Sequence, residues 1–359
     1  MSIDLDPGVA ALGNPRLVER IVTEMDGGAI SFERFMELAL YDPDYGYYRK
    51  PGRIGKDGDF VTSPSIHPMF GWAVAGWCRW VWQQLGEPHE FTIFEPGAAQ
   101  GQLASAILDW ADGRRDGFRD ALRYVAIEPN APGHDERVLW ASPPVAPVPA
   151  GVVVANELFD AFPVRVFQAT ARGPIEILVR WDGERFEEAH GAVTTIDDAP
   201  ADGRFEVNAY TYPAMRSLCG LVERGAVLAF DYGYLQEELW ADWRRNGTLM
   251  AFYRHTAHED PYIHIGQQDL TTHVNFSELA SAAEEEGFAV SGPERQAVVL
   301  ARLGLHDAVE GARGDMAEYF VRRRAFGQLT DAGGLGRINV LAARRGIEAV
   351  PPGFEEETE

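Results

Sequence analysis

A chain of 359 residues, 46% of them hydrophobic, can bury one large core or two modest ones, and nothing in its composition marks disorder or fibre. Its 55 acidic residues outnumber 32 basic ones, for a formal net charge of −23, so no broad positive face is available and nucleic acid is excluded as the expected partner. No run is long and apolar enough to cross a membrane, and Cys78 and Cys219 match no zinc or disulfide spacing. The start, MSIDLDPGVA, carries acid where a signal or transit peptide would carry base, and a cytoplasmic enzyme is expected.

From Pro15 to Leu40 the pattern is helical, with Ser31 placed to cap a helix that holds Glu33 in its first turn. Glycines and prolines then break every period over Tyr41 to Phe60, which reads as loop. The aromatic stretch MFGWAVAGWCRWVWQQLG predicts a helix whose rings serve core packing rather than a ligand cage. Beyond it, FTIFEPGA, LRYVAIEP, GVVVANEL, GAVLAFDYG and RINVLAAR read as strands, with helices expected over Gln100 to Ala111 and Pro213 to Arg224. That alternation predicts an α/β fold, an open parallel sheet covered on both faces. Ligands in such sheets sit at the carboxyl ends of the strands, where Glu95, Glu128, Asn156, Glu157 and Asp231 fall. Two insertions interrupt the alternation: a small antiparallel meander over about 164–206, and a segment of little periodicity over about 234–275, both expected to wall a substrate cleft.

EPGAAQGQL, Glu95 to Leu103, reads as strand, glycine turn and helix start, where backbone N–H groups can approach a ligand. Its spacing of Gly97, Ala99 and Gly101 is not G-x-G-x-x-G, which disfavours a nicotinamide enzyme. Glu128, ending the next strand, stands where an α/β nucleotide site holds ribose hydroxyls. With Glu95 opening the turn, a pyrophosphate would be repelled and a sulfonium or ammonium attracted, favouring S-adenosylmethionine.

Several blocks carry a resemblance: YDPDYGYY, DFVTSPSIHPMFG, EPGAAQGQL, NELFDAFPV, FDYGY, GTLMAFYRH, GQQDLTTHVNFSELA and GPERQAVVLARLGL. In these the chain resembles the MidA family of class I S-adenosylmethionine-dependent methyltransferases, whose mitochondrial members are complex I assembly factors that methylate a protein arginine. The resemblance implies a Rossmann-like, mostly parallel seven-stranded sheet over 76–348 with the inserted meander and lid, a helical and loop cap over 1–75, and a flexible acidic tail over 349–359. This sequence departs from the family pattern at Ala99, where a glycine is usual, and at Ser65, Met250 and Asn275, where an acid, an arginine and an aspartate are usual. The last three are expected to face the acceptor.

Carried over residue by residue, the resemblance implies that Glu95, Gly97 and Gly101 form the methionine-side turn and that Glu128 takes the ribose. Thr62, Ser63 and Pro64 would cover the cofactor, Asn156 and Glu157 would stand beside the reactive methyl, and Asp231 and Tyr232 would line the opposite side of the cleft. Glu157 and Asp160 are the candidates to pair with a guanidinium and stabilise its transition state, although a helix cap would also explain Asp160. HTAHEDPYIHIGQQDLTTH offers His255, His258, Glu259, His264, Asp269 and His273, but Pro261 breaks any helix and the spacing is not H-E-x-x-H, so no metal is expected. His255 and His273 lie in family blocks and are expected to act as general base or substrate contact. The expected reaction is methyl transfer to a guanidino nitrogen of a cationic protein or peptide. A small guanidino or amino compound and a non-catalytic assembly factor are the alternatives. The oligomeric state stays open, with a homodimer among the arrangements allowed.

Overall fold

The computed structural model describes residues 12–49, 61–128, 135–241, 243–254 and 256–354. Its centre is a seven-stranded sheet of β1 (Phe91–Pro96), β2 (Leu122–Ile127), β3 (Val138–Ala141), β4 (Val148–Asn156), β5 (Val222–Asp231), β6 (Ala289–Arg295) and β7 (Asn339–Arg345), in the spatial order β6-β7-β5-β4-β1-β2-β3. From β3 to β5 every neighbouring pair is parallel, while β7 lies antiparallel to both β5 and β6. The mostly parallel α/β sheet is thus present.

Strand β4 shows why the apolar runs sit where they do. Its residues alternate between two cores: Val152 and Val154 pack with the helices Met69–Gln84 and Gln102–Asp112, Val153 and Ala155 with Thr211–Cys219 and Phe276–Glu285. Both faces being covered, no position along Val152–Ala155 can be polar, and the run ends only at Asn156. The tryptophan-rich helix packs into the first core, with Phe70 edge-on to Phe230 of β5 at 5.2 Å.

A third core lies apart from the sheet. The helices Pro15–Met25 and Phe32–Tyr41 bury Leu17, Ile21, Phe35 and Met36 against Val164, Val166, Ile177 and Val179 of the first insertion. There Arg165–Gln168, Ile175–Trp181, Phe186–Val193 and Arg204–Val207 form an antiparallel sheet that the short strand Ala29–Ser31 joins, Ser31 opposite Leu178. Ser31 caps the second helix, its hydroxyl accepting the Arg34 N–H at 3.1 Å.

Two expected boundaries need correction. The helix Met69–Gln84 runs through the division set at 75 and 76, because its apolar residues on both sides of that point belong to one core. Residues 349–354 do not leave the body as a flexible tail: Pro351 and Gly353 are buried, Phe354 packs against the first core, and the Gly353 carbonyl accepts from Arg302 at 3.3 Å. Replacing Phe230 by Ala should cost about 3–5 kcal/mol of stability, through the cavity left in a two-sided core. Urea unfolding checks this; a loss under about 1 kcal/mol would mean that the sheet faces are less tightly packed than described.

Candidate functional site

The turn after β1 bends through three left-handed residues, Gly97 at φ +71°, Ala99 at +47° and Gly101 at +76°. A side chain at Gly101 would also run into the Trp140 ring at 3.0 Å. Ala99 holds a conformation that glycine adopts freely, so its methyl adds local strain without filling the turn. The helix Gln102–Asp112 that follows has no side-chain cap, which leaves its first N–H groups without a side-chain acceptor, as a site for a ligand's carboxylate requires. Glu128 reaches back from the end of β2, and its Oε2 accepts the Ala99 N–H at 3.2 Å, tying ribose-side acid and turn together. Glu95 is instead buried beneath the turn: the Tyr124 hydroxyl donates to it at 2.7 Å, and burial pushes its pKa up to about 8.

At the end of β4 the chain turns sharply through Glu157, at φ +49°, whose N–H donates to the Phe230 carbonyl at 2.8 Å. The Asp231 carboxylate holds this turn. Its Oδ2 accepts the N–H groups of Leu158 and Phe159 at 3.1 and 2.8 Å, and its Oδ1 accepts that of Tyr232 at 2.8 Å. Asp231 is 0% exposed and does not line the cleft as expected; it lies under the turn, while Tyr232 lines the cavity. Burial first, and then Asp160, raise the Asp231 pKa against the pull of those N–H groups.

Glu157 and Asp160 both face a cavity of about 950 Å³. The Ser63 N–H and Asn156 Nδ2 donate to one Glu157 oxygen, Oε1, at 3.2 and 3.1 Å; Oε2 takes no hydrogen bond among the described residues. Burial, reinforced by Asp160, pushes the Glu157 pKa up to about 8, and burial pushes Asp160 up to about 7. Neither carboxylate has an ion-pair partner among the described residues. No helix begins at Asp160, so the capping alternative falls away. Asn156 Oδ1 is buried and accepts no hydrogen bond among the described residues, an orphan polar atom at the end of β4 that suits a ligand ammonium.

The N-terminal segment contributes Thr62, which lines the cavity, and Ser63, which is wholly buried with its hydroxyl donating to Gln296 Oε1 at 3.1 Å. Ser63 therefore meets the site through its backbone N–H, and its hydroxyl is not turned toward a cofactor. The cavity walls come from both insertions: Gln168, Glu188 and Arg204 of the inserted sheet, and Thr248, Met250, Phe252 and His273 of the later one. His273 is uncharged at neutral pH, because burial first and then Arg244 and Arg337 push its pKa down to about 4; so low a value makes it a weak general base. His255 lies outside the described residues. Among the described residues no three His, Cys, Asp or Glu gather as a metal site.

Two of the three departures expected to face the acceptor have structural roles instead. Ser65 Oγ accepts the Thr62 N–H at 3.1 Å, the bond an acid at this third helical position would make. Asn275 caps the helix Phe276–Glu285 through the Ser277 N–H at 3.1 Å, and its Nδ2 donates to Glu278 at 3.2 Å, which an aspartate could not do. Only Met250 lines the cavity. Sequence patterning does not single out Arg244 and Arg337 on the cavity wall: Arg244 lies in the segment of little periodicity, and Arg337 opens the apolar run RINVLAAR at its amino end, away from the strand ends where ligands are expected.

Comparison with known proteins bears on this geometry. Residues 73–294 match the family described as putative S-adenosyl-L-methionine-dependent methyltransferases. The mitochondrial protein arginine methyltransferase NDUFAF7 of Danio rerio is 27% identical over 79% of this chain and 75% of its own length, and that of Mus musculus 29% identical over 77% and 71%. A Burkholderia thailandensis protein solved with S-adenosyl-homocysteine bound superposes with a TM-score of 0.85 at 29% identity, covering 99% of this chain and 97% of that one. The mitochondrial names of the curated relatives overturn the cytoplasmic expectation: an acidic start argues only against a basic leader at that point and does not fix a compartment. The left-handed turn, the uncapped helix and the orphan Asn156 oxygen suit S-adenosylmethionine, which is the cofactor. The chain therefore belongs to the MidA family of S-adenosylmethionine-dependent methyltransferases, as its sequence blocks imply.

Proposed function

We propose that this methyltransferase methylates a guanidino nitrogen of an arginine side chain in a protein. The observation that carries the reading is the pair Glu157 and Asp160, two carboxylates facing one cavity with no ion-pair partner among the described residues. The relatives named protein arginine methyltransferases support it.

The cofactor, when bound, supplies a methyl group on a sulfonium that a nitrogen lone pair can attack. In this reading the first N–H groups of the helix Gln102–Asp112 hold its carboxylate, Asn156 Oδ1 accepts from its ammonium, and Glu128 holds its ribose hydroxyls. A guanidinium has little free lone pair, its pKa being above about 12. Glu157 Oε2 and Asp160 would take hydrogen bonds from two of its nitrogens, concentrating positive charge there and leaving the third to react. The proton released as the new N–C bond forms passes to one of these carboxylates, ionised while it holds the cationic acceptor and hydrogen-bonded to the reacting group. A small guanidino compound is the second reading, favoured by Met250, the one departure that lines the cavity.

Cell lysate incubated with methyl-labelled cofactor and this enzyme should carry label in protein, on arginine; label confined to small molecules would exclude a protein acceptor. Glu157→Gln should lower kcat by about 10²-fold or more while cofactor affinity stays within a few-fold, as expected for a group acting in the transition state. Glu128→Ala should instead weaken cofactor binding about tenfold, read by calorimetry; equal effects on both quantities in both variants would dissolve the assigned division of labour.

Stability should respond to pH in a set direction. Glu95, Glu157 and Asp160 have folded-state pKa values above their unfolded ones, so the native chain binds more protons, and stability falls as pH rises from about 4 through about 8. Urea midpoints of the ligand-free protein should drop across that window, less steeply for Glu157→Gln; a rising profile, or one unaffected by the substitution, would contradict the stated environments.

A further inference from the structure

The cavity that holds the two carboxylates also has a basic side. Four arginines line it, and two are already engaged: Arg204 reaches Glu188 with both terminal nitrogens, at 2.9 and 2.7 Å, and Arg245 pairs with Asp202 at 3.0 Å. Arg244 and Arg337 pair with no carboxylate among the described residues. Aromatic faces hold them instead. The Arg244 guanidinium lies 4.4 Å from the Tyr234 ring centre and 4.5 Å from that of Trp243, with its Nε donating to the Glu238 carbonyl at 3.2 Å. That of Arg337 lies 5.4 Å from the Tyr232 ring. A guanidinium held over an aromatic ring keeps N–H groups for a planar anion.

Two observations place these charges in one corner suited to an anion. The His273 ring lies 5.3 Å from that of Tyr234, the ring over which Arg244 sits, and its Nδ1 is buried with no hydrogen-bond partner among the described residues, available as a donor in the corresponding neutral tautomer. Tyr232, 5.4 Å from the Arg337 guanidinium, lines the same cavity as Glu157 and Asp160, so basic and acidic groups share it. Arg337 is exposed and Arg244 half-buried, so an anion entering the cavity can meet both guanidinium groups without first breaking an ion pair.

We propose that Arg244 and Arg337, with His273, bind a carboxylate of the acceptor, so that the enzyme selects a guanidino group with an acid close by. This rests on the guanidino reading above. The acid can be a Glu or Asp side chain next to the target arginine in a protein, or the α-carboxylate of a free guanidino acid; the recognition chemistry is shared.

The test measures methyl transfer from labelled cofactor to two arginine peptides that differ only in Glu or Gln beside the arginine, and to arginine and argininamide. The Glu peptide should show a KM about tenfold below that of the Gln peptide with similar kcat, the change expected for one charge-assisted bidentate contact. Arg337→Met should raise the KM of the Glu peptide to that of the Gln peptide, and Arg337→Lys should restore part of the preference. Arg244→Met provides a second variant, and the unfolding midpoint of each checks that the fold persists. A preference among the peptides assigns the carboxylate to a protein; a preference for arginine over argininamide alone assigns it to a free acid. Equal KM values within both pairs, or a preference that survives in the folded Met variants, would overturn the carboxylate site while leaving the guanidino reading intact. Absence of label from every guanidino compound would overturn both.

Discussion

The site depends on one buried carboxylate. Asp231 accepts hydrogen bonds from the N–H groups of Leu158, Phe159 and Tyr232, and so ties the chain leaving β4 to the chain leaving β5. Without it, three donors at the top of a two-sided core would lack partners, each at a cost of about 1–3 kcal/mol. The turn that Asp231 fixes includes Glu157 in a left-handed conformation, a strain of roughly 1–3 kcal/mol that persists only where neighbours over-determine it. The strained turn sets direction: Glu157 and Asp160 both face the cavity beside Asn156, whose amide orients Glu157.

Burial and charge then act in the same sense. Carboxylates gathered at the end of a central strand lose hydration, and Asp160 adds repulsion at Glu157, so their protons are held to near neutral pH. A cationic acceptor relieves that penalty, which makes the same groups selective for a cation and able to take up a proton. The arginines that line the same cavity extend the scheme: groups of both signs would set the orientation of an acceptor that carries both. Much of the remaining wall, Arg244 included, belongs to the insertions, while Arg337 comes from the turn before β7; the N-terminal helices stabilise the inserted sheet through a core of their own. Catalytic geometry thus comes from the rigid sheet, and the shape of the acceptor site from the added layer.

Much of this is legible in the sequence for a physical reason. A strand buried on both faces must be continuously apolar, so its carboxyl end shows as an abrupt polar residue, and Asn156 with Glu157 stand out for that cause. The strands β3 and β6 leave no such mark: they lie at the sheet edges, several of their residues are half-exposed, and β6 contains Pro293. Asp231 falls at the expected end of its strand, yet its surroundings differ from those expected, since a polar residue at a strand end can serve a ligand or a neighbouring turn equally well. The departures from the family pattern read as acceptor contacts for a similar reason. Only the three-dimensional arrangement reveals that Ser65 and Asn275 satisfy backbone N–H groups and that Met250 alone meets the cavity.

The central claim is that the end of β4 presents carboxylates that a cationic acceptor strips of protons. Calorimetric titration of an arginine peptide into enzyme saturated with S-adenosyl-homocysteine, at about pH 7 in buffers of differing ionisation enthalpy, measures this directly. Since binding a cation lowers raised carboxylate pKa values, the account predicts net proton release on binding, diminished in Glu157→Gln. Binding with no proton release, or with proton uptake, would contradict it.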